Sequence, residues 1–281
     1  MPRLPSDGVE LAYEEAGDGP AIVFTHEMAS DRRQWRGQLA ALSGAFRCIA
    51  YDARGYPPSG VPEDDEAYVH QRFVDDIGAV QRHLGLERSL LVGSSMGAYA
   101  ALLFALQNPG RAAGVVAAGV GSGSPPDEIA GFRADMAALS DLYLAQGAEA
   151  GAEQIAQGAN RQALRRNHPD RWGPFMADLR GHCARGMARV CRNYQGRRPS
   201  LRDFAEGFAR MATPVLVIVG EEDAPCLETS RWLADVIPNA ALRVFPGCGH
   251  VPNIEAPEAF DRAVVGFATA AVAGLPTNKD L

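Results

Sequence analysis

Ser95 stands between two glycines in the sequence GSSMG at positions 93–97, which has the pattern G-x-S-x-G. The apolar run Ser89–Val92 precedes this pattern and predicts a strand, and a helical pattern begins at Met96. In a sharp strand-to-helix turn the serine is held in a strained conformation, small neighbours relieve crowding, and the helix N-terminus favours developing negative charge. The pattern therefore predicts that Ser95 is a nucleophile; the alternative is a Gly-Ser turn without chemistry.

A serine hydroxyl needs a neighbouring base to be a useful nucleophile near neutral pH. His250 is the candidate among six histidines, because it lies on a glycine-rich loop just after the last predicted strand. A carboxylate must in turn orient the base and stabilise the imidazolium, and Asp223 follows the predicted strand Pro214–Val219. Ser95, Asp223 and His250 occur in the chain order Ser, Asp, His, and each follows the end of a predicted strand. Glu221 and Glu222 are neighbouring carboxylates that could be mistaken for the orienting acid, and either could be merely solvated.

Six short apolar runs without alternation predict strands that are buried on both faces, and longer segments between them have helical patterns. The predicted strands are Ala21–Thr25, Arg47–Tyr51, Ser89–Val92, Gly114–Val120, Pro214–Val219 and Ala241–Phe245. The predicted helices are Phe73–Leu84, Met96–Gln107, Thr229–Val236 and Pro257–Val272. This alternation predicts an α/β fold with a doubly wound, mostly parallel sheet.

The alternation stops near residue 122 and resumes at Pro214. The intervening residues have helical patterns and no convincing strand. We therefore expect residues 1–123 and 212–281 to form the core, with residues 124–211 inserted as a helical cap, here named the cap segment. The tail Gly274–Leu281 is polar and is expected to fray.

The composition of the 281 residues, 47% hydrophobic and 22% charged, is that of an ordinary globular protein. A net charge of −7 argues against nucleic acid as the main partner. Five cysteines without a CxxC spacing argue against a disulfide framework or a zinc site. The chain shows no signal-peptide pattern and no bilayer-spanning apolar run, so a cytoplasmic protein without metal, cofactor or membrane association is expected. The oligomeric state is unknown from the sequence.

Residues 161–202 carry eleven arginines and only two acidic residues. Such a basic region could steer or bind an anionic substrate. The alternative is a solvated face, which the helical spacing of His182, Arg185 and Arg189 favours. Trp172 and Phe175 could line a pocket in this region or pack within the cap segment.

At these residues the chain resembles the α/β-hydrolase superfamily over essentially its full length. The sequence DARGYPPS at 52–59 is similar to the D-x-R-G-x-G-x-S loop that follows the third strand of the family. The segment 245–258, FPGCGHVPNIEAPE, is similar to the histidine loop and last helix. A narrower resemblance, through Ser30, Asp31 and Trp35, is to capped enol-lactone hydrolases and esterases.

The resemblance implies a cofactor-free serine hydrolase in which Ser95 attacks a carbonyl, His250 relays the proton and Asp223 orients His250. It also implies an oxyanion hole formed by the N–H groups of Met96 and Met28. Three alternatives remain open. They are hydrolysis of a carbon–carbon bond in a ring-cleavage product, a cofactor-free perhydrolase or haloperoxidase, and a non-catalytic relative that only binds ligands. The expected substrate is a small carboxylic ester or lactone, which could carry its own carboxylate.

Glu27 departs from the family pattern, because the loop at 25–28 reads THEM where the family usually has His-Gly. A carboxylate there would oppose an oxyanion unless it is paired with an arginine or faces solvent. His26 is expected to be a structural loop residue more than a second base. The candidate substrate-contacting residues are Glu27, His26, Trp172 and Phe175.

Overall fold

The non-alternating runs of Val, Ile, Leu and Ala form the central strands of an eight-stranded sheet. The structure is a computed structural model that describes residues 1–272; the predicted frayed tail, Gly274–Leu281, lies outside the described residues. The strands are β1 (Arg3–Ser6), β2 (Val9–Ala16), β3 (Ala21–Thr25), β4 (Arg47–Tyr51), β5 (Ser89–Ser94), β6 (Ala112–Ala118), β7 (Val215–Gly220) and β8 (Ala240–Phe245).

The strand order is β1-β2-β4-β3-β5-β6-β7-β8. β2 is antiparallel to both β1 and β4, and the six strands from β4 to β8 in this order are parallel to one another. The carboxyl ends of these parallel strands therefore meet at one edge, where ligand sites of open α/β sheets form. The predicted doubly wound, mostly parallel fold is confirmed.

The antiparallel strands β1 and β2, at one end of the sheet, were not predicted from the sequence. β1 alternates between exposed and buried residues, and β2 mixes both classes, so neither gives a continuous apolar run. Strands with one face toward water have this alternating pattern, and neither β1 nor β2 has the continuous apolar run that predicts the other six strands.

Helices cover both faces of the sheet. Within the core they are α1 (Arg36–Leu42), α2 (His70–His83), α3 (Met96–Gln107), α9 (Ala224–Val236), α10 (Pro252–Glu255) and α11 (Pro257–Val272). α3 and α11 have the predicted bounds, whereas α9 begins five residues before the predicted Thr229. Pro225 in its first turn has no N–H to leave unsatisfied, which suits a helix start. The apolar face of α11 buries Phe260 and Val264 against the same cluster as Ile22 and Val116.

Between β6 and β7 the described residues form helices and no strand. These helices are α4 (Ile129–Ala156), α5 (Gln162–Asn167), α6 (Pro169–Arg180), α7 (Ala184–Arg189) and α8 (Ala205–Ala209). The predicted solvated helix face through His182 is wrong, because α6 ends at Arg180 and His182 is buried with Nε2 3.2 Å from Asp31. No helix within residues 1–272 combines the length and apolarity needed to cross a bilayer.

Candidate active site

Ser95 occupies the turn between β5 and α3 with φ +48° and ψ −107°, a left-handed conformation that costs a side-chain-bearing residue about 1–3 kcal/mol. Its N–H donates to the carbonyl of Ala118 at 2.8 Å. A Cβ atom at Gly93 would lie 2.5 Å from Cα of Ala98, and one at Gly97 would lie 2.2 Å from a backbone oxygen of β3. The two glycines of the pattern are therefore required by close backbone approach, and they allow the turn that presents Ser95.

His250 and Asp223 are buried and in direct contact, with Nδ1 of His250 2.7 Å from Oδ2 of Asp223. Because the acceptor is a carboxylate, Nδ1 carries the proton in this hydrogen bond. Glu221 and Glu222 are exposed and bond to other groups. Of the three neighbouring carboxylates, Asp223 is thus the one that contacts His250. Nε2 is not used in this bond and can accept a proton.

Charge coupling stabilises the ionised forms of this pair. Burial lowers the pKa of His250, but the Asp223 carboxylate more than offsets it and holds the pKa well above its ordinary value. Burial likewise raises the pKa of Asp223, whereas the charge and hydrogen bond of His250 hold it below its ordinary value. The arrangement favours an imidazolium beside a carboxylate, the state that forms when the histidine accepts a proton.

The loop that carries His250 is fixed by a buried carboxylate that sequence reasoning missed. Glu255 accepts the N–H groups of Gly249 at 2.8 Å and Val251 at 3.1 Å, the two neighbours of His250. The His250 N–H itself donates to the Asn160 carbonyl of the cap segment at 3.1 Å. These bonds set the backbone of His250 from both sides. Glu255 follows His250 by only five residues, and this short spacing is the sequence feature that could have indicated its role.

Glu27 is buried and paired with an arginine, the first of the two conditions under which a carboxylate there would not oppose an oxyanion. Arg161 donates from Nη1 to one carboxylate oxygen at 2.8 Å and from Nη2 to the other. Glu27 is 1% exposed and Arg161 5%. Burial raises the pKa of Glu27, but the charge and hydrogen bonds of Arg161 lower it below its ordinary value. Oε2 of Glu27 also lies 3.7 Å from Nε2 of His250.

Both ring nitrogens of His26 are engaged by backbone groups. Nδ1 donates to the Glu27 carbonyl at 2.7 Å, and Nε2 accepts the Ala53 N–H at 3.0 Å. Burial lowers the pKa of His26 to about 4, so the ring is neutral near pH 7. This geometry favours the structural role expected for His26 and leaves no nitrogen for substrate.

Trp172 and Phe175 pack in an apolar cluster that the cap segment forms together with Ala29 and Val251, with ring centroids 5.8 Å apart and Phe175 buried. Neither they nor His26 are among the residues that line the cavity at Ser95. The expectation that these three contact substrate stays a prediction, and the structure shows the two rings in apolar packing and both nitrogens of His26 bonded to backbone groups.

A cavity of about 930 Å³ lies at the carboxyl edge of the sheet, beneath α4. It is lined by Ser95, Met96, His250, Met28 and Glu27, so the structure brings the predicted nucleophile, base and oxyanion-hole residues to one space. Within the described residues the N–H groups of Met28 and Met96 donate to no other backbone group and are open to a ligand. The Ser95 hydroxyl makes no hydrogen bond to the His250 ring in residues 1–272.

Cys226 approaches the same pair. Its Sγ donates to the Gly119 carbonyl at 3.3 Å and lies 3.8 Å from Nδ1 of His250. The ligand atoms of Asp223, Cys226 and His250 lie within 4.8 Å of one another, a spacing that could hold a metal ion. However, the hydrogen bond between His250 and Asp223 uses the nitrogen and oxygen that an ion would need, and burial raises the pKa of the Cys226 thiol. These residues fit a hydrogen-bonded pair better than a metal site.

Comparison with known proteins shows similarity along most of the chain. A family model described as "alpha/beta hydrolase fold" matches residues 20–257. A protein of Caulobacter sp. (strain K31), provisionally named carbamate hydrolase RutD, is 30% identical over 94% of this chain and 98% of its own. The 3-oxoadipate enol-lactonase 2 of Acinetobacter baylyi is 26% identical over 93% and 94%. The structure of a thermophilic esterase from Thermogutta terrifontis superposes with a TM-score of 0.85 at 25% identity, covering 96% of this chain and 98% of that one.

Proposed function

The chain belongs to the α/β-hydrolase fold family and is a hydrolase, and from that premise we propose that it cleaves small carboxylic esters or lactones through an acyl-enzyme intermediate. One observation carries the proposal. Ser95, on a strained strand-to-helix turn, lines the same cavity as His250, whose Nδ1 is held by Asp223 at 2.7 Å. This is the set of groups that activates a serine for attack on a carbonyl.

In the proposed mechanism the Ser95 hydroxyl attacks the carbonyl carbon while Nε2 of His250 takes its proton. Asp223 stabilises the resulting imidazolium, and the N–H groups of Met96 and Met28 bind the oxyanion. The imidazolium then gives its proton to the leaving alcohol, and a water molecule activated by His250 releases the acid from Ser95. Hydrogen bonds between nucleophile and base often tighten only when substrate is bound, so their absence from the free protein is compatible with this sequence of steps.

The pairing of Glu27 with Arg161 removes the conflict between a carboxylate and the oxyanion site. The guanidinium contacts both oxygens of Glu27, so the net charge of the pair is close to zero where the oxyanion would form. The 3.7 Å approach to Nε2 places part of the carboxylate charge beside the imidazolium. We propose that Glu27 stabilises the imidazolium of His250 from the Nε2 side of the ring, opposite Asp223.

The ester or lactone preference is supported by the named relatives, which include an enol-lactonase and an esterase as well as a carbamate hydrolase. A panel of p-nitrophenyl esters and lactones tests it, and turnover of at least one class is expected. A coloured dienoate tests the carbon–carbon alternative, and peroxide-dependent turnover tests the perhydrolase alternative. Turnover of the dienoate or of peroxide in the absence of ester and lactone hydrolysis would overturn the proposed substrate class.

A further inference from the structure

The arginines of residues 161–202 are mostly neutralised by acidic partners. Eight of the eleven lie within ion-pair distance of a carboxylate. The pairs are Arg161–Glu27, Arg166–Glu222, Arg171–Asp170, Arg180–Glu153, Arg189–Asp65, Arg192–Asp141, Arg197–Glu66 and Arg202–Glu228. Within residues 1–272 no such pair is formed by Arg165, Arg185 or Arg198. The first two are exposed to solvent, whereas Arg198 is only 9% exposed.

Arg198 is held in place by neutral groups alone. Its Nε donates to Oε1 of Gln195 at 2.9 Å, and its Nη2 donates to the Ser122 carbonyl at 2.6 Å. The guanidinium lies 4.8 Å from the ring centroid of Tyr99 and 5.0 Å from that of Phe132. Its third nitrogen, Nη1, has no hydrogen-bond acceptor in the described part of the chain. A buried cation without a carboxylate is energetically costly, so its presence indicates a use for the charge.

The guanidinium faces the space that Ser95 faces. Arg198, Tyr99 and Ser122 line the same cavity as Ser95 and His250. Tyr99 is four residues after Ser95 on α3, and its N–H donates to the Ser95 carbonyl at 3.0 Å. Four residues of helix rise about 6 Å. Tyr99, on which the cation stacks, therefore follows Ser95 by about one helical turn along α3.

The other charges along the cavity do not neutralise Arg198. Glu27 is committed to Arg161 through two hydrogen bonds. Glu128 and Asp135 also line the cavity, but both are exposed, where water and salt screen their charge. The interior of the cavity therefore keeps one uncompensated positive charge.

We propose that Arg198 binds a carboxylate carried by the substrate, so that the substrates are short esters or lactones with a second, free carboxylate. This inference rests on the proposed function. A guanidinium presents a planar set of N–H donors that matches a carboxylate, and the free Nη1 supplies a donor not used by the protein. Because Arg198 and Ser95 line the same cavity, one small substrate can place its reacting carbonyl at Ser95 and its carboxylate at Arg198.

Two matched substrate pairs distinguish the side of the ester on which the carboxylate lies. The acyl pair is p-nitrophenyl hydrogen glutarate and p-nitrophenyl pentanoate, which share a leaving group and chain length. The alcohol pair is 4-acetoxybenzoate and 4-acetoxybenzamide. The wild type is expected to prefer the carboxylate-bearing member of at least one pair. Arg198→Gln is expected to reduce that preference at least about tenfold, through KM of the charged substrate, since it removes a charge-assisted hydrogen bond.

Arg197→Gln is the matched control, because it removes the same charge at the adjacent position, where Arg197 is exposed and paired with Glu66. Its preference should equal that of the wild type. Arg198→Lys keeps the charge but loses the planar set of N–H donors, so it should retain part of the preference. It takes the place of Arg198→Gln in the test if Arg198→Gln does not fold. The inference is overturned if the wild type prefers neither charged substrate, or if Arg198 variants that fold by circular dichroism lower both members of a pair equally.

Failure of the proposed function is separable from failure of this inference. If no ester is hydrolysed, calorimetric titration of the wild type with glutarate still tests Arg198. Binding that is lost in Arg198→Gln and kept in Arg197→Gln supports the inference without any turnover. Wild-type protein that does not bind glutarate, or Arg198→Gln protein that binds it equally well, would overturn it.

Discussion

Arg161 of the cap segment forms a buried, two-point ion pair with Glu27, 134 residues away in the sequence, and this same carboxylate lies 3.7 Å from Nε2 of His250. The pair thus joins three parts of the chain at the candidate site: the loop after β3, the cap segment and the histidine loop. Both partners are desolvated, so each depends on the other for compensation of its charge.

The first prediction concerns the stability that depends on this pair. Arg161→Met should reduce the free energy of unfolding by about 3–5 kcal/mol, because it leaves a buried carboxylate unpaired. The double variant Glu27→Gln, Arg161→Met should lose less than Arg161→Met alone. Urea denaturation at pH 7 measures both. Arg192→Met, at an exposed pair with Asp141, should cost no more than about 1 kcal/mol. If the loss of unfolding free energy in the double variant equals the sum of the losses in Glu27→Gln and Arg161→Met, the two side chains do not interact.

The second prediction concerns pH. His250 must be neutral to act as a base, so kcat/KM should rise as pH increases through its pKa, which lies above the ordinary value. Glu27→Gln removes a negative charge near Nε2 and leaves Arg161 uncompensated. Both changes lower the pKa of His250, so the rising limb should move to lower pH. Glu222→Gln, at an exposed carboxylate, should leave the limb in place. A limb that stays fixed or moves to higher pH in Glu27→Gln would contradict the role proposed for Glu27.

The third prediction separates the neighbouring acids after β7. Asp223→Asn keeps the shape of the side chain but no longer holds His250 in the required tautomer, so kcat should fall by about ten-thousandfold. Glu221→Gln and Glu222→Gln should change kcat less than about threefold, since both carboxylates are exposed and bond to Gly247 and Arg166 instead of the ring. Steady-state kinetics on one activated ester decides the order. A loss in Glu222→Gln as large as that in Asp223→Asn would mean that the wrong acid is assigned.

The fourth prediction concerns strain at the turn. Glycine adopts a positive φ freely, whereas alanine keeps the strain of Ser95, so Ser95→Gly should be more stable than Ser95→Ala by about 1 kcal/mol. The expected gain is the relieved strain less the greater conformational freedom of glycine in the unfolded chain. Thermal or urea unfolding of the two variants measures it. An alanine variant as stable as the glycine variant would show that the turn stores little strain.

Local sequence patterns were sufficient to predict the central strands and the turn at Ser95. Strands buried on both faces give continuous apolar runs, and the strand-to-helix turn requires glycine where backbones touch. The same reasoning predicted the contact of Asp223 with His250, because the carboxyl ends of parallel strands share an edge. It missed β1 and β2, whose half-exposed pattern resembles that of loops.

Local sequence patterns could not predict which charged residues pair or remain unpaired in the cavity. Arg161 and Arg198 belong to one arginine-rich stretch, in which buried and exposed arginines look alike in the sequence. Which of these arginines are buried depends on how α4 and the neighbouring helices pack over the sheet. For the same reason the sequence left open whether Glu27 is paired or solvated, a choice that depends on a residue 134 positions away.

Covalent labelling with a fluorophosphonate, read by intact-protein mass, tests the assignment of Ser95 most directly. The wild type should gain the mass of one phosphonyl group, and Ser95→Ala should gain none while it remains folded by circular dichroism. Ser94→Ala is the matched control, because Ser94 is the adjacent, fully buried serine, and it should label like the wild type. Full labelling and full esterase activity in a folded Ser95→Ala protein would show that the nucleophile lies elsewhere.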